Sequence, residues 1–203
     1  MIGDDKLKLD LVHDIQSSYR KLLNCMARPG LIENIQEESE KLDINVKFYN
    51  ATMILMLMLL DGEVSYKIVT DRKIEITNIA SQMTFSNQAQ AQNADFIFIL
   101  SDASPQSIVD AFRCAKIGDL VNPNKSSTII FEIEDLLKGQ ELALIGPGIE
   151  NTNYVKVQSL GDWIEERDKL NTEYPLGIDI IFIDPASNIM CLPRTTKISK
   201  QVV

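Results

Sequence analysis

The chain has 203 residues and a net charge of −9, with 45% hydrophobic and 24% charged residues, which is the profile of a single globular domain spanning 1–203. It contains no run of five or more basic residues, so it lacks the clustered cations by which proteins hold nucleic acid or an anionic membrane. A small anionic ligand stays open, because two or three local cations are enough to hold one.

The first predicted element is a helix over HDIQSSYRKLLNCMARPG. Val12, Ile15, Tyr19, Leu22, Leu23 and Met26 recur at steps of three and four on one face, with Lys21 and Arg28 on the opposite, polar face. Pro29-Gly30 ends it, since a proline pushes the preceding residue out of the helical region. The run ATMILMLMLL, 51–60, is apolar all round. It is far shorter than the roughly 20 residues a membrane helix needs, so it is expected to be a buried helix, or alternatively an oligomer interface.

Asp61-Gly62 then turns the chain into the strand EVSYKIV, and Ile74, Ile76, Ile79, Ala80 and Met83 allow a helix within 72–91. ADFIFIL, 94–100, has the continuous apolar character of a sheet centre. Ser104-Pro105 reads as an N-cap and first helical residue, opening a helix over QSIVDAFRCAKIG with Gly118 as its stop. TIIFEI and ELALI are expected to be antiparallel neighbours across the short DLLKGQ gap. Ser159 and Asp162 suggest a capping box, with Leu160, Trp163, Ile164 and Leu170 on the apolar side of the helix that follows. Finally, 178–184 and 189–192 read as two strands around the turn Pro185-Ala186-Ser187-Asn188. Helices and strands alternate early and strands pair late, which predicts an α/β layered domain with a mixed sheet.

Several chemistries have no signature here. Neither a dinucleotide glycine fingerprint nor a phosphate loop is present, and Asn122–Ser127 ends in lysine and serines without the necessary glycines. His13 is the single histidine, so a histidine-rich zinc site or a Ser-His-Asp arrangement has little to draw on. Cys25, Cys114 and Cys191 are far apart and odd in number, which suits a reducing compartment. With no apolar signal core in MIGDDKLKLD, a cytoplasmic location is expected. The charged runs EESEK and EERDK read as solvated helix faces. Asp179 differs, because it interrupts an apolar strand and so calls for a partner, for which Arg194 is the candidate. The block Pro193-Arg194-Thr195-Thr196 therefore carries two readings, a fold-securing turn or a seat for a phosphate-like group.

HDIQSSYRKLLNCMARPGLI, LALIGPGIEN, YPLGIDIIFI and LPRTTKI, taken together and in this order, resemble the PhnH family, core subunits of the bacterial carbon–phosphorus lyase system. The likeness runs from Val12 to Ile198, with little of it in 31–127. It implies a fold related to the large domain of pyridoxal-phosphate-dependent transferases of the aspartate aminotransferase type, without that cofactor. It also implies a homodimer when alone and assembly with PhnG, PhnI and PhnJ. The complex would make α-D-ribose 1-methylphosphonate 5-triphosphate from ATP and methylphosphonate, with the cluster chemistry residing in PhnJ. The chain is then expected to be noncatalytic by itself, with no catalytic residue, metal or cofactor of its own. Arg28, Asp179, Arg194, Thr195 and Thr196 are the candidates for phosphate or phosphonate binding, or for structural roles. The rival readings are a stand-alone nucleotide- or phosphonate-binding transferase and a dimerising module that uses the 51–60 helix.

Overall fold

The structure, a computed structural model, describes residues 9–42, 48–71, 73–158 and 161–200. The features expected at Arg72, Ser159 and Leu160, and the side chain of Ile74, lie outside the described residues. In chain order the elements are α1 (His13–Ala27), β1 (Ile32–Asn34), α2 (Gln36–Ser39), α3 (Asn50–Leu59), β2 (Ser65–Val69) and α4 (Lys73–Thr84). There follow β3 (Asn87–Gln88), β4 (Phe96–Ile99), α5 (Pro105–Cys114), β5 (Thr128–Glu132), β6 (Asp135–Ile145) and β7 (Asn153–Gln158). The chain closes with α6 (Trp163–Leu170), β8 (Asp179–Ile183), β9 (Asn188–Leu192) and β10 (Lys197–Lys200).

A seven-stranded mixed sheet in the order β1-β9-β8-β5-β4-β2-β3 forms the middle layer. Strands β3, β2, β4, β5 and β8 run parallel, while β9 is antiparallel to both of its neighbours. The central strands carry continuous apolar runs (96–99, 129–131 and 180–183) because both of their faces are covered. Phe98, Ile130 and Ile181 point into a core shared with α1, α3 and α4. Ile97, Ile99, Ile129, Phe131, Ile180 and Phe182 point into a second core, shared with α5, α6 and a three-stranded sheet of order β10-β6-β7. Trp163 packs edge-on to Phe182 at 5.1 Å and fixes α6 over the middle of the sheet.

Most expected elements are present, and the departures have local causes. TIIFEI and ELALI are not antiparallel neighbours. Strand β5 lies between β4 and β8, parallel to both, whereas β6 starts at Asp135, within the expected gap, and pairs with β7 and β10. DLLKGQ is itself strand, and a register shift between Asp135 and Gln140 accommodates Gly139. Helix α5 has the expected Ser104 cap, whose side chain accepts from the Ser107 N–H, but it ends at Cys114, before Gly118. Helix α6 starts at Trp163 with Asp162 in the N-cap position, not three residues into the helix. The β8–β9 turn lies one residue earlier than expected: the Ser187 N–H donates to the Asp184 carbonyl at 3.0 Å.

Two apolar surfaces also exchange roles. Helix α3 is buried from Ala51 to Met56 in the chain's own core, so this stretch is unavailable as an oligomer interface. Helix α1 instead divides its apolar residues. Leu22 and Cys25 are buried, with Ile15 and Met26 packed beside them, but Tyr19, Leu23 and the preceding Val12 are exposed, Val12 by 70%. Residues 12, 19 and 23 share one helix face, which leaves an apolar stripe in solvent.

Candidate functional site

The C-terminal hairpin delivers the Pro193–Thr196 turn. Asp179 opens β8 and Arg194 follows β9, and the antiparallel register sets them side by side. The Asp179 Oδ1 accepts from the Arg194 backbone N–H at 2.7 Å and from its Nε at 3.3 Å, and Oδ2 accepts from Nη2 at 2.5 Å. The Arg194 Nη1 also donates to the Pro123 carbonyl at 2.8 Å. Both side chains are about four-fifths buried (18% and 19% exposed), so this is the partner that a carboxylate in an apolar strand requires. The Arg194 fork is thus largely occupied within the protein.

Three of the segments singled out in the sequence meet here. The 146–148 turn packs against the end of α1, and a Cβ on Gly148, whose φ is +83°, would stand 2.2 Å from the Ala27 carbonyl oxygen. On its other side, a Cβ on Gly146 would meet the Thr195 carbonyl at 2.9 Å. Asn153 ties the same region down by donating from Nδ2 to the Pro29 carbonyl at 3.1 Å. In the fourth segment, Gly177 passes Asn171 so closely that a Cβ would lie 2.5 Å from Oδ1, the atom that accepts from the Ile178 N–H.

Two grooves flank the 146–148 turn. One, of about 610 Å³, is lined by Arg28, Pro29, Gly148 and 149–153. The other, of about 700 Å³, is lined by Pro147, Arg167, Asp168, Asn171, Arg194, Thr195, Thr196 and Lys197. The candidate residues therefore divide: Asp179, Arg194, Thr195 and Thr196 belong together, while exposed Arg28 lines the other groove.

Arg167 was absent from the sequence-level candidates. It is only 1% exposed, and its Nη2 donates to the carbonyls of Pro193 at 2.8 Å and Thr196 at 3.0 Å. Its Nη1 lies 3.6 Å from Oδ1 of Asp168, a side chain that is 51% exposed. Burial lowers the Arg167 pKa to about 10, so it is still a cation at neutral pH, with the long ion pair to Asp168 as its carboxylate contact among the described residues. Among the described residues, neither the Arg167 Nε nor the Thr196 Oγ1, both buried, has a hydrogen-bond partner. Each such group costs about 1–3 kcal/mol, and native proteins seldom leave them so.

The runs EESEK and EERDK are not simply solvated. Glu38 is buried and accepts from Lys21 and Ser17, both at 2.8 Å; burial alone would raise its pKa, but these bonds leave it lowered. Glu166 accepts from Arg113 at 3.1 and 3.0 Å and from Lys169 at 2.8 Å, and the Arg113 bonds first, then Lys169, lower its pKa to about 2. These helices pack their charged faces against neighbouring elements, which a helical pattern alone does not show.

At the carboxyl edge of the parallel strands, where open α/β sheets commonly place a ligand, the acidic groups are already engaged. Glu132 is 2% exposed and accepts from Thr52 Oγ1 at 2.6 Å, Ser101 N–H at 2.9 Å and Tyr49 N–H at 3.0 Å, while burial raises its pKa. Asp184 caps the β8–β9 turn through the N–H groups of Ala186 and Asn188. His13 is exposed at the start of α1 beside Asp14, and the 122–127 loop leads into a strand instead of opening a helix. Among the described residues, no three His, Cys, Asp or Glu side chains are placed to share a metal ion, and no helix is long and apolar enough to cross a membrane.

Residues 8–199 match the family described as "Bacterial phosphonate metabolism protein (PhnH)". The chain belongs to the PhnH family. Among curated relatives, it is 26% identical over 197 residues to the alpha-D-ribose 1-methylphosphonate 5-triphosphate synthase subunit PhnH of Rhizobium meliloti (strain 1021), covering 95% of this chain and 94% of that protein. It is 23% identical over 185 residues to the putative C-P lyase subunit protein HtxG of Stutzerimonas stutzeri, covering 91% of this chain and 85% of that protein. The PhnH match spans the 31–127 stretch, which carries little of the motif likeness, and it includes both grooves. Arg167 did leave one sequence signal. It stands three residues after Ile164 and three before Leu170, a core position in the helical period of α6.

Proposed function

We propose that this PhnH-family chain is a subunit of a multi-protein carbon–phosphorus lyase assembly for the catabolism of organic phosphonates. In that assembly it is required for making α-D-ribose 1-methylphosphonate 5-triphosphate from ATP and methylphosphonate, and it supplies structure to a transferase without performing the reaction by itself. The observation that carries this reading is the family match over 8–199, together with relatives named as such subunits that align over 94% and 85% of their own lengths. The partners are PhnG, PhnI and PhnJ in the cytoplasm, with a homodimer formed when the chain is alone. ATP is a substrate of the whole complex, and the chain binds no cofactor of its own. On this reading, its mixed α/β layers are a relative of the large domain of pyridoxal-phosphate-dependent transferases that works without pyridoxal phosphate.

Two features support a structural role. Arg194, the side chain on which a stand-alone transferase would most depend, is occupied by Asp179 and the Pro123 carbonyl. The apolar stripe of Val12, Tyr19 and Leu23 is exposed, as a subunit that docks on other chains would present. The test is co-expression of a tagged form of this chain with the three partner subunits. Stoichiometric co-purification at moderate salt is expected; recovery of the tagged chain alone would refute the proposal.

A further inference from the structure

We propose that the groove beside the Pro193–Thr196 turn is an oxyanion site, in which Arg167 and Thr196 receive a phosphoryl or phosphonyl group of a small molecule and Lys197 closes it from the rim. This inference rests on the geometry of the chain itself and stands whether or not the chain assembles with others.

Three observations converge on the site. First, both groups on this wall of the groove have unmet hydrogen-bonding capacity: among the described residues, the Arg167 Nε–H has no acceptor and the Thr196 Oγ1 has no partner of either kind. Since buried polar atoms are almost always paired, two orphans lining one groove point to a group that completes them. Second, the charges do not balance. Arg194 is neutralised by Asp179, so among the described residues lining the groove Arg167 and exposed Lys197 stand against Asp168, a half-exposed carboxylate 3.6 Å from the Arg167 Nη1. Third, the groove, at about 700 Å³, is within the range of small-molecule sites.

The class of ligand follows from the donors. A guanidinium, a hydroxyl and an ammonium suit the several oxygens of a tetrahedral anion better than the two of a carboxylate. Asp168 is the group with which such an anion competes for Arg167. Inorganic phosphate, an alkylphosphonate and the phosphate of a nucleotide share this chemistry, and the test separates them.

The full chain is titrated by calorimetry with inorganic phosphate, methylphosphonate and ATP, and its melting temperature is followed with each, against sodium chloride at matched ionic strength. At least one probe is expected to bind and to raise the melting temperature by several degrees; the tightest identifies the source. Arg167→Ala removes the bonds that hold the turn and risks unfolding, so two other variants decide. Thr196→Val should melt at or above the wild-type temperature without ligand, because it removes an unpartnered hydroxyl, and should bind about tenfold more weakly. Asp168→Asn, on an exposed helix position, should bind several-fold more tightly. The proposal is overturned if no probe acts differently from chloride, or if both variants bind as the wild type does. It is also overturned if Arg28→Ala abolishes binding while Thr196→Val leaves it intact, which would place the anion in the other groove.

Discussion

If Arg194 secures the C-terminal hairpin, then Arg194→Ala must be costly to stability. Truncation removes the Nε and Nη2 bonds to Asp179 and the Nη1 bond to the Pro123 carbonyl, leaving the carboxylate only the Arg194 backbone N–H. Breaking a buried pair by removing one partner costs about 3–5 kcal/mol. This pair is four-fifths buried and the backbone donor survives, so the lower end applies, at about 3 kcal/mol. For a chain of this length, about 2–4 °C is lost per kcal/mol, which predicts a melting temperature lower by about 6–12 °C. Arg194→Lys keeps the charge but loses the fork, so it should fall between the two. In a double-mutant cycle with Asp179→Ala, the two changes should be coupled by about 2 kcal/mol, because either alone already breaks the pair. Differential scanning calorimetry reads the wild type and all four variants. A melting temperature for Arg194→Ala within about 2 °C of wild type would refute the reasoning. Loss of complex activity at unchanged stability would instead assign Arg194 to ligand binding.

The acid limb of stability should depend on Glu166. Its pKa is lowered to about 2, so it stabilises the fold above the ordinary carboxylate range near pH 4.3, and that contribution fades as pH falls toward 2. Glu166→Gln should therefore flatten the decline in melting temperature between pH 5 and 2; an unchanged slope would contradict the assignment. Thr52→Val keeps the shape of a buried residue but removes a donor to buried Glu132, and should cost about 1.5–3 kcal/mol in urea unfolding at neutral pH. Gly148→Ala forces a Cβ to 2.2 Å from the Ala27 carbonyl at a left-handed φ of +83°, and should cost more than about 3 kcal/mol by the same assay.

The layered α/β core was legible because its signals are local. Continuous apolar runs such as 96–99 and 129–131 marked strands buried on both faces, and Ser104-Pro105 marked a helix start whose cap is present. Strand partners were not legible. TIIFEI and ELALI are adjacent in sequence yet lie in different sheets, because pairing is decided by which faces need cover and not by the length of the gap. The NYVKVQ strand was overlooked, although Tyr154 and Lys156 alternate with buried Val155 and Val157. In the site, the Asp179–Arg194 pair followed from one carboxylate inside an apolar run. Arg167 did not, because arginine in EERDK resembles any solvated helix residue until Pro193 and Thr196 are seen to fold over it. Its spacing from Ile164 and Leu170 held the information, but composition concealed it.

The central claim, a subunit that is necessary but not sufficient, is tested most directly by adenine release from ATP in the presence of methylphosphonate. The assay compares the isolated chain, the three partner subunits without it, and the reconstituted assembly. No turnover is predicted from either part alone, with activity restored when this chain is added back in stoichiometric amount. Sustained adenine release by the isolated chain, or full activity of the partners without it, would contradict the account.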